Sequence, residues 1–586
     1  MGDDKKKLQR SMKPPVLTFN FLRNQTVGID SVISTPFGKR LMVYCDYNAS
    51  GRCLKFIEKY IMRLQKFYAN THTEDDITGR NMTHLLHQAE EKIKIAVNAG
   101  PDGRIICTGS GSTAAIYRAQ QLLGVAMPPA TRRFIWSILE ECFQIKTDVQ
   151  DLLTHYKPVV FIGPYEHHSN ELTWRESLAQ VVPIKIDNQG FIDVNDLENQ
   201  LQKEQYKNRL RIGSFSAASN VTGIKTSIYE ITCLLHKYNA LACFDYAASA
   251  PYETMNMNPK PLKKEDDPSL DAVFISPHKF LGGPGSNGIL IFNKRIYPTE
   301  IAPSVSGGGT VTYVNLESHD YFDKIEERER AGTPGVLQTL KASLAFEVKE
   351  KITVPEIEKR EQQLISKAFK VWKANSNIEI LGNTDPTKRI GIASFIIHDP
   401  WGTILHAKFI TALLNDLFGI QSRAGCSCAG PYGHHLLNID LSTSQKYRKW
   451  VIKGCAGIKP GWCRVGFHYT MDDSEAQYII EAVDFVASQG YFFLPQYEFH
   501  LHSGVWIHCR QPKINYEFSL QDALKTHDQD YSNALSEKTR CRLYKDYIKE
   551  AKRMVEKLKQ EKTPTLKKLE GELEELQYFS VVNVVS

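Results

Sequence analysis

A lysine at position 279 opens the chemical reading of this chain. It lies in SPHKFLGGPGSNGIL (276–290), just past a short apolar run, with Ser276 and His278 before it and a glycine-rich turn after it. An ammonium held against an apolar wall loses hydration, so its pKa falls and the free amine can form an imine with a carbonyl. The hydroxyl and imidazole beside it suit a phosphate. A surface lysine in a strand–helix loop has the same local pattern. Asp245, in ACFDYAASAPY, ends another apolar run. A carboxylate there is costly unless it meets a cation, and a protonated pyridine nitrogen would be one. A helix N-cap is the simpler alternative.

Two further segments have anion-binding or imidazole chemistry. CTGSGSTAAI (107–116) reads as a strand, a loop of small residues and a helix start, where backbone N–H groups and the hydroxyls of Ser112 and Thr113 form an anion site. It lacks the lysine of a P-loop and the GxGxxG of a dinucleotide fold, and a capped tight turn is compatible with it. GPYEHHSNELTW (163–174) carries His167 and His168. Neighbouring residues of extended chain point to opposite sides, so one of the two faces a ligand easily and the other is a satisfied histidine.

These residues need a scaffold, and the pattern supplies one. Apolar runs (RIICTGS, PVVFIGP, RIGSFSA, ALACFDYAA, DAVFISP) alternate with helix-like stretches such as STAAIYRAQQLLG and SIYEITCLLHKYNA. Such alternation predicts βαβ units, an α/β fold with a sheet covered on both faces, and ligands at the edge where the strands end. From about Thr353 the pattern changes to a long charged helix (IEKREQQLISKAFKVWKAN), short strands (RIGIASFIIH, WCRVGFHYT) and a further helix (DDSEAQYIIEAVDFVAS), a smaller α+β unit. Past Gly490 come an aromatic-rich stretch, a basic helix and an acidic helix (LEGELEELQYF). In the basic helix Leu543, Tyr547, Ala551, Met554 and Leu558 recur at helical steps and predict one apolar face.

Composition bounds the class. The chain has 586 residues, 42% hydrophobic and 24% charged, which excludes collagen-like and wholly disordered readings. Twelve cysteines are too sparse for a disulfide scaffold and point to a reducing compartment. The net charge of +6 is concentrated in residues 538–568, where twelve Lys/Arg face four Asp/Glu. A basic tail is therefore expected, and a nucleic-acid-coating protein is not. A solvated helix packed on the rest of the protein explains that tail, as does docking of RNA or a protein partner. No run approaches the ~18 apolar residues of a membrane span. The first residues, MGDDKKKLQRSMKPP, have no apolar core for a secretory signal, have acidic residues unlike a transit peptide, and carry Lys6 where a myristoylation motif wants Ser or Thr. A cytoplasmic protein is expected.

The order of motifs resembles the class V aminotransferase superfamily, most of all its cysteine desulfurases and selenocysteine lyases. DYNASGR (46–52), YANTHTEDDITGR (68–80), TGSGSTAA (108–115), EHHSNELTW (166–174), SAASNVTG (216–223), FDYAASA (244–250), SPHK (276–279), GGGT (307–310), AGTPG (331–335) and RAGCSCAGP (423–431) follow in the family's order, over about residues 40–490. The resemblance implies fold type I: an arm (1–40), a large domain (41–315) with a mixed, mostly parallel sheet, a small domain (316–490), and here an added helical extension (491–586). It implies pyridoxal 5′-phosphate (PLP), with Lys279 as the Schiff-base lysine, Asp245 at the pyridine nitrogen, His167 stacked on the ring and Asn220 near the ring hydroxyl. Ser112, Thr113, Ser276 and His278 would hold the phosphate, and Thr310 would serve the partner subunit of a homodimer. Arg464 would grip the carboxylate of an amino-acid substrate. Arg423 and Cys428 have the spacing of the desulfurase RxGxxC loop, in which the cysteine takes sulfur from L-cysteine and a sulfur-acceptor protein follows; nearby Arg423 would favour its thiolate.

Three features depart from that pattern. Cys426 and Ser427 replace two histidines before the cysteine, Ala248 replaces a glutamine, and the extension has no counterpart in the simple desulfurases. Three other readings of the loop and scaffold therefore stay open: another class V transformation (transamination, epimerisation, elimination) with Cys428 a small buried residue, a zinc site drawn from Cys426, Cys428, His434, His435, Cys455 and Cys463, and a dormant fold that binds a partner through its basic tail.

Overall fold

The computed structural model describes residues 17–71, 73–143, 156–511, 534–561 and 564–585. The first sixteen residues, on which the leader and lipidation expectations rest, lie outside them.

Seven strands form the main sheet: β1 (Gly103–Thr108), β2 (Val159–Ile162), β3 (Gln180–Pro183), β4 (Arg211–Ser216), β5 (Leu241–Asp245), β6 (Ala272–Ile275) and β7 (Gly288–Asn293). Their order is β1-β7-β6-β5-β4-β2-β3. All pairs from β6 to β3 are parallel, and β7 alone runs against both neighbours. The sheet is thus mixed and mostly parallel. β2, β4 and β6 are buried at every residue, because helices cover both faces. That is why these segments read as unbroken apolar runs with no alternation.

Since β7 is the only reversed strand, β1, β2, β4, β5 and β6 all end at one edge. The register sets Ser216 beside Asp245 there. The segments that follow these strands (109–113, 163–169, 217–220, 246–248 and 276–279) consequently converge at the carboxyl ends of the strands, where open α/β sheets bind ligands. Helix α1 (Gly111–Leu122) starts at this edge and packs on β7 and β6.

Helices α2 (Val336–Ile352) and α3 (Val354–Trp372) lead to a smaller antiparallel sheet, β8 (Ile378–Ile380), β9 (Ile392–Ile397), β10 (Arg423–Gly425) and β11 (Trp462–Gly466), in the order β8-β9-β11-β10. Helix α4 (Asp473–Gln489) packs on α3. The extension adds β12 (Tyr497–His500), β13 (Val505–His508), helix α5 (Glu537–Leu558) and β14 (Asn583–Val585), with β12 paired to both other strands.

Two expectations for the extension change. Helix α5 buries Tyr544, Tyr547, Ala551, Val555 and Leu558, and leaves Leu543 and Met554 half-buried, so its inward face is rotated slightly from the expected stripe. The rotation stacks Tyr544 on Tyr478, ring centroids 4.1 Å apart, and seats the Arg40 guanidinium over Tyr547. The expected acidic helix is only a short 3₁₀ turn, Gly571–Leu576. Gly571 has φ +61°, Glu572, Glu574 and Glu575 pair with Lys449, Lys568 and Lys446, and buried Leu569, Leu573 and Leu576 anchor the segment by packing. Among the described residues no helix is long and apolar enough to cross a membrane.

Candidate active site

One cavity of about 210 Å³ lies at the convergent strand ends. Of the residues to which the resemblance gives a role, all but one line it: Ser112, Thr113, His167, Asn220, Asp245, Ser276, His278, Lys279, Arg423, Cys428 and Arg464. Thr310 lies outside it, buried, its hydroxyl donating to the Gly307 carbonyl at 2.7 Å.

Asp245 is the last residue of β5 and is buried. Its Oδ1 accepts the Ala247 N–H at 2.9 Å, an Asx turn followed by no helix, so the N-cap alternative does not hold. Burial raises its pKa, opposed by the Ala247 hydrogen bond and the Lys279 charge. Lys279 ends a one-turn 3₁₀ helix (Pro277–Lys279) and is half-buried in the cavity wall rather than on an outer surface. Its pKa is pulled down to about 8, first by burial, then by Arg464 and Arg423, with Asp245 opposing. Burial and the Lys279 charge also push His167 down to about 3 and His278 to about 4, so both imidazoles are neutral at physiological pH.

The anion loop sits between α1 and the Lys279 turn. Ser276 Oγ accepts the Ser112 N–H at 2.8 Å, and the Thr113 and Ser169 hydroxyls bond at 2.6 Å. Hydroxyls and the first N–H groups of a twelve-residue helix thus gather at one place.

Arg423 and Arg464 face each other across the β10–β11 pair. Like charges directly opposite are unfavourable, and Asp46 lies between them: its carboxylate is 2.6 Å from Arg464 Nη2 and 3.6 Å from Arg423 Nη1. Arg464 Nη1 also donates to the Asn220 carbonyl at 2.8 Å. Two guanidiniums aimed into one cavity suit a carboxylate.

Cys428 follows β10 on a tight turn. Ser427 and Cys428 have φ of +49° and +58°, which costs an L residue roughly 1–2 kcal/mol each. Hydrogen bonds hold the turn: Asn220 Nδ2 donates to the Ser427 carbonyl at 2.7 Å, and the His168 N–H to the Cys428 carbonyl at 2.8 Å. The zinc alternative is not assembled. Among the described residues no three His, Cys, Asp or Glu side chains are placed to share an ion, and Cys463 is buried beside Thr411 and Ser422.

Three residues that do not line the cavity hold those that do. Asp46 lies in the DYNASGR motif, but its link to Arg464 spans 418 positions and has no local signal. Glu166, buried behind His167, accepts from the Gly163 and Ser216 N–H groups, the Ser216 hydroxyl and Asn170, which ties the end of β2 to β4. Burial raises its pKa to about 7 despite these donors. His168 faces the Cys428 turn.

Comparisons with known proteins give the family and the fold. A family model, aminotransferase class-V, matches residues 148–479. A probable cysteine desulfurase of Halalkalibacterium halodurans is 26% identical over 395 residues, 67% of this chain and 84% of that protein. One of Pyrococcus abyssi is 28% identical over 275 residues, 46% of this chain and 62% of that protein. Among solved structures, the apo cysteine desulfurase of Thermococcus onnurineus NA1 superposes with a TM-score of 0.58 at 19% identity, over 76% of this chain and 95% of its own. The Escherichia coli cysteine desulfurase CsdA (S-sulfonic acid) gives 0.58 at 19%, over 80% and 98%. These structures share the fold type I architecture. With its family match covering more than half its length, the chain belongs to the class V aminotransferase family.

Proposed function

We propose that this chain binds pyridoxal 5′-phosphate and removes sulfur from L-cysteine, or selenium from selenocysteine, giving alanine and a persulfide on Cys428. The observation that carries this reading is a single cavity lined by a lysine, a buried carboxylate, an arginine pair and a cysteine. The related proteins named as probable cysteine desulfurases support it.

The residues fit the cofactor. Gly111 has φ +58°, and a Cβ there would lie 2.7 Å from Ser276 Oγ and 2.8 Å from His278 Cε1, so the anion loop keeps open a space that a side chain would fill. Asn220 Oδ1 is buried without a partner among the described residues, an acceptor available to a ring hydroxyl. Ala248, in the position of the desulfurase glutamine, lines the cavity without adding a polar group. Asp245, whose charge is disfavoured by burial, would be stabilised by a pyridinium.

Ser112, Thr113, Ser276 and His278 would hold the phosphate, and neutral His167 would stack on the ring. Lys279 would anchor the aldehyde and then, once displaced by substrate, move the Cα proton. When bound, pyridoxal phosphate supplies the electron sink that stabilises a carbanion at the substrate Cα. Arg464 and Arg423 would bind the substrate carboxylate in place of Asp46. The Cys428 thiolate would attack the substrate sulfur: the S–S bond forms as the Cβ–S bond breaks, the electron pair stays with the carbon skeleton, and protonation yields alanine.

In this reading residues 41–315 bind the cofactor, 316–490 bring Arg423, Cys428 and Arg464, and 1–40 and 491–586 flank them. A homodimer completes the proposal. Thr310 precedes a hairpin (Val311–Val314 and His319–Tyr321) that exposes Tyr313, Val314 and Leu316, an apolar surface suited to a second copy. A sulfur-acceptor protein and a cytosolic setting belong to the same proposal.

The test is alanine release from L-cysteine by the PLP-loaded protein and its Cys428→Ser variant. Alanine from the wild type alone is expected, with unchanged cofactor absorbance in the variant. No alanine from either, with that absorbance intact, would replace desulfuration by transamination, epimerisation or elimination without Cys428.

A further inference from the structure

His168 is the neighbour of the ring-facing histidine, and the proposed reaction gives it no task. Its place in the fold is specific. It follows β2, in the same loop as His167, and lies against the turn that carries Cys428, 260 positions further on. Its backbone N–H donates to the Cys428 carbonyl at 2.8 Å, and its imidazole Nε2 accepts the Gly430 N–H at 3.1 Å. The one residue therefore grips the turn on both sides of Ala429, with backbone and side chain at once. Asn220 adds a third tie through the Ser427 carbonyl at 2.7 Å.

Those ties oppose a real tendency to relax. Ser427 and Cys428 are consecutive non-glycine residues in the left-handed region, at φ +49° and +58°. Such a pair persists only where its surroundings over-determine it. Within the turn itself the Ala429 N–H bonds the Cys426 carbonyl at 3.1 Å. The other three hydrogen bonds come from His168 and Asn220, both on loops at the strand ends of the main sheet. A ring that accepts from Gly430 must be neutral at Nε2. Burial, with the Lys459 and Arg175 charges, lowers the His168 pKa and keeps it so.

We propose that His168 is a positioning residue for Cys428: with Asn220 it holds the Ser427–Cys428 turn in the left-handed conformation that keeps the thiol at the cavity. The role as sulfur acceptor rests on the desulfurase reading, but the brace itself does not. It explains how a cysteine on the turn after a strand of the smaller sheet keeps a fixed position relative to a lysine on the turn after a strand of the larger one. A long loop would reach the substrate by searching; a strained turn braced from the opposite domain is already there.

The experiment pairs His168→Ala with His168→Gln, whose amide oxygen can still accept from Gly430. Iodoacetamide labelling at each cysteine is quantified by peptide mass spectrometry, with exposed Cys142 and Cys509 as reference. In His168→Ala, loss of the brace should raise Cys428 labelling about fivefold relative to Cys509 by opening the turn locally. Misplacing the thiol should cost about tenfold in kcat for alanine release with KM little changed. His168→Gln should restore both towards wild type. Unchanged Cys428 labelling in His168→Ala, or equal changes in both variants, would overturn the proposal. If buried Cys45 and Cys243 also label in the alanine variant, the fold has opened. His168→Leu, which fills the space without an acceptor, is then read instead, against the same two outcomes. Labelling that follows this pattern in a protein releasing no alanine would leave the brace standing and remove only the desulfurase reading.

Discussion

Lys279 shows what a residue's surroundings do to its chemistry. A solvated lysine near its usual pKa of about 10.4 has roughly one amine in a few thousand neutral at pH 7. With the pKa at about 8 that fraction becomes about a tenth. Burial is the larger cause, and Arg423 and Arg464 add to it from the other sheet. In the proposed reaction the neutral amine is the nucleophile, so its supply rises with pH through the lowered pKa and then levels. Uptake of pyridoxal phosphate by the cofactor-free protein, followed by absorbance, should therefore accelerate with a midpoint near pH 8 and plateau about one unit above it. Arg464→Gln should move that midpoint upward by removing a cation. A wild-type midpoint above pH 10 would mean an ordinary solvated lysine. The apolar run before Lys279 announced the burial in sequence; nothing near position 279 announced the two arginines.

At the scale of elements, the site is a set of strand ends. The segments quoted as apolar runs are β1, β2, β4, β5 and β6, and each delivers a site loop at the same edge. β3 and β7 had no separate signal: QVVP is four residues long, and GILIFN continues a glycine-rich turn. The reversed direction of β7 follows from that tight return after Lys279. The start of α1 is the element most exposed to a single change. Gly111→Ala puts a Cβ at φ +58° against Ser276 and His278. The backbone term alone costs roughly 1–2 kcal/mol. Displacing the two side chains proposed to hold the phosphate should weaken PLP binding by at least about tenfold, equivalent to ~1.4 kcal/mol. A titration monitored by absorbance checks this, and an unchanged affinity would mean the anion loop does not hold the phosphate.

Over the whole molecule, the described part of the extension (residues 491–511, 534–561 and 564–585) is packed against the rest of the protein. Helix α5 lies on α4 through Tyr544 and Tyr478, and its first turn joins a buried charge network: Arg23 pairs with Asp30 at 2.7 Å and Glu475 at 3.0 Å, and Arg540 bonds Asp472. Arg40 pairs with Glu550 at 2.9 Å. The residues before the main sheet and those after the small domain are thus fastened to each other. Tyr544→Ala empties a buried aromatic site and should cost about 3–5 kcal/mol, a clear fall in melting temperature with the absorbance of bound PLP retained in the folded protein. An unchanged melting temperature would mean that α5 contributes nothing to the stability of the body.

The sequence by itself determined the candidate site residues and their order along the chain, because each motif is local: a strand end, a small-residue loop, a helix start. It also determined the fold class, since the alternation of apolar runs with amphipathic stretches repeats every few dozen residues. Only the tertiary structure decided which of those residues meet. Asp46 lies between Arg423 and Arg464, which face each other on adjacent strands of a different sheet, and His168 braces a cysteine 260 positions away. Such contacts depend on strand order, register and the packing of one sheet's loops against another's strands. No spacing along the chain encodes them.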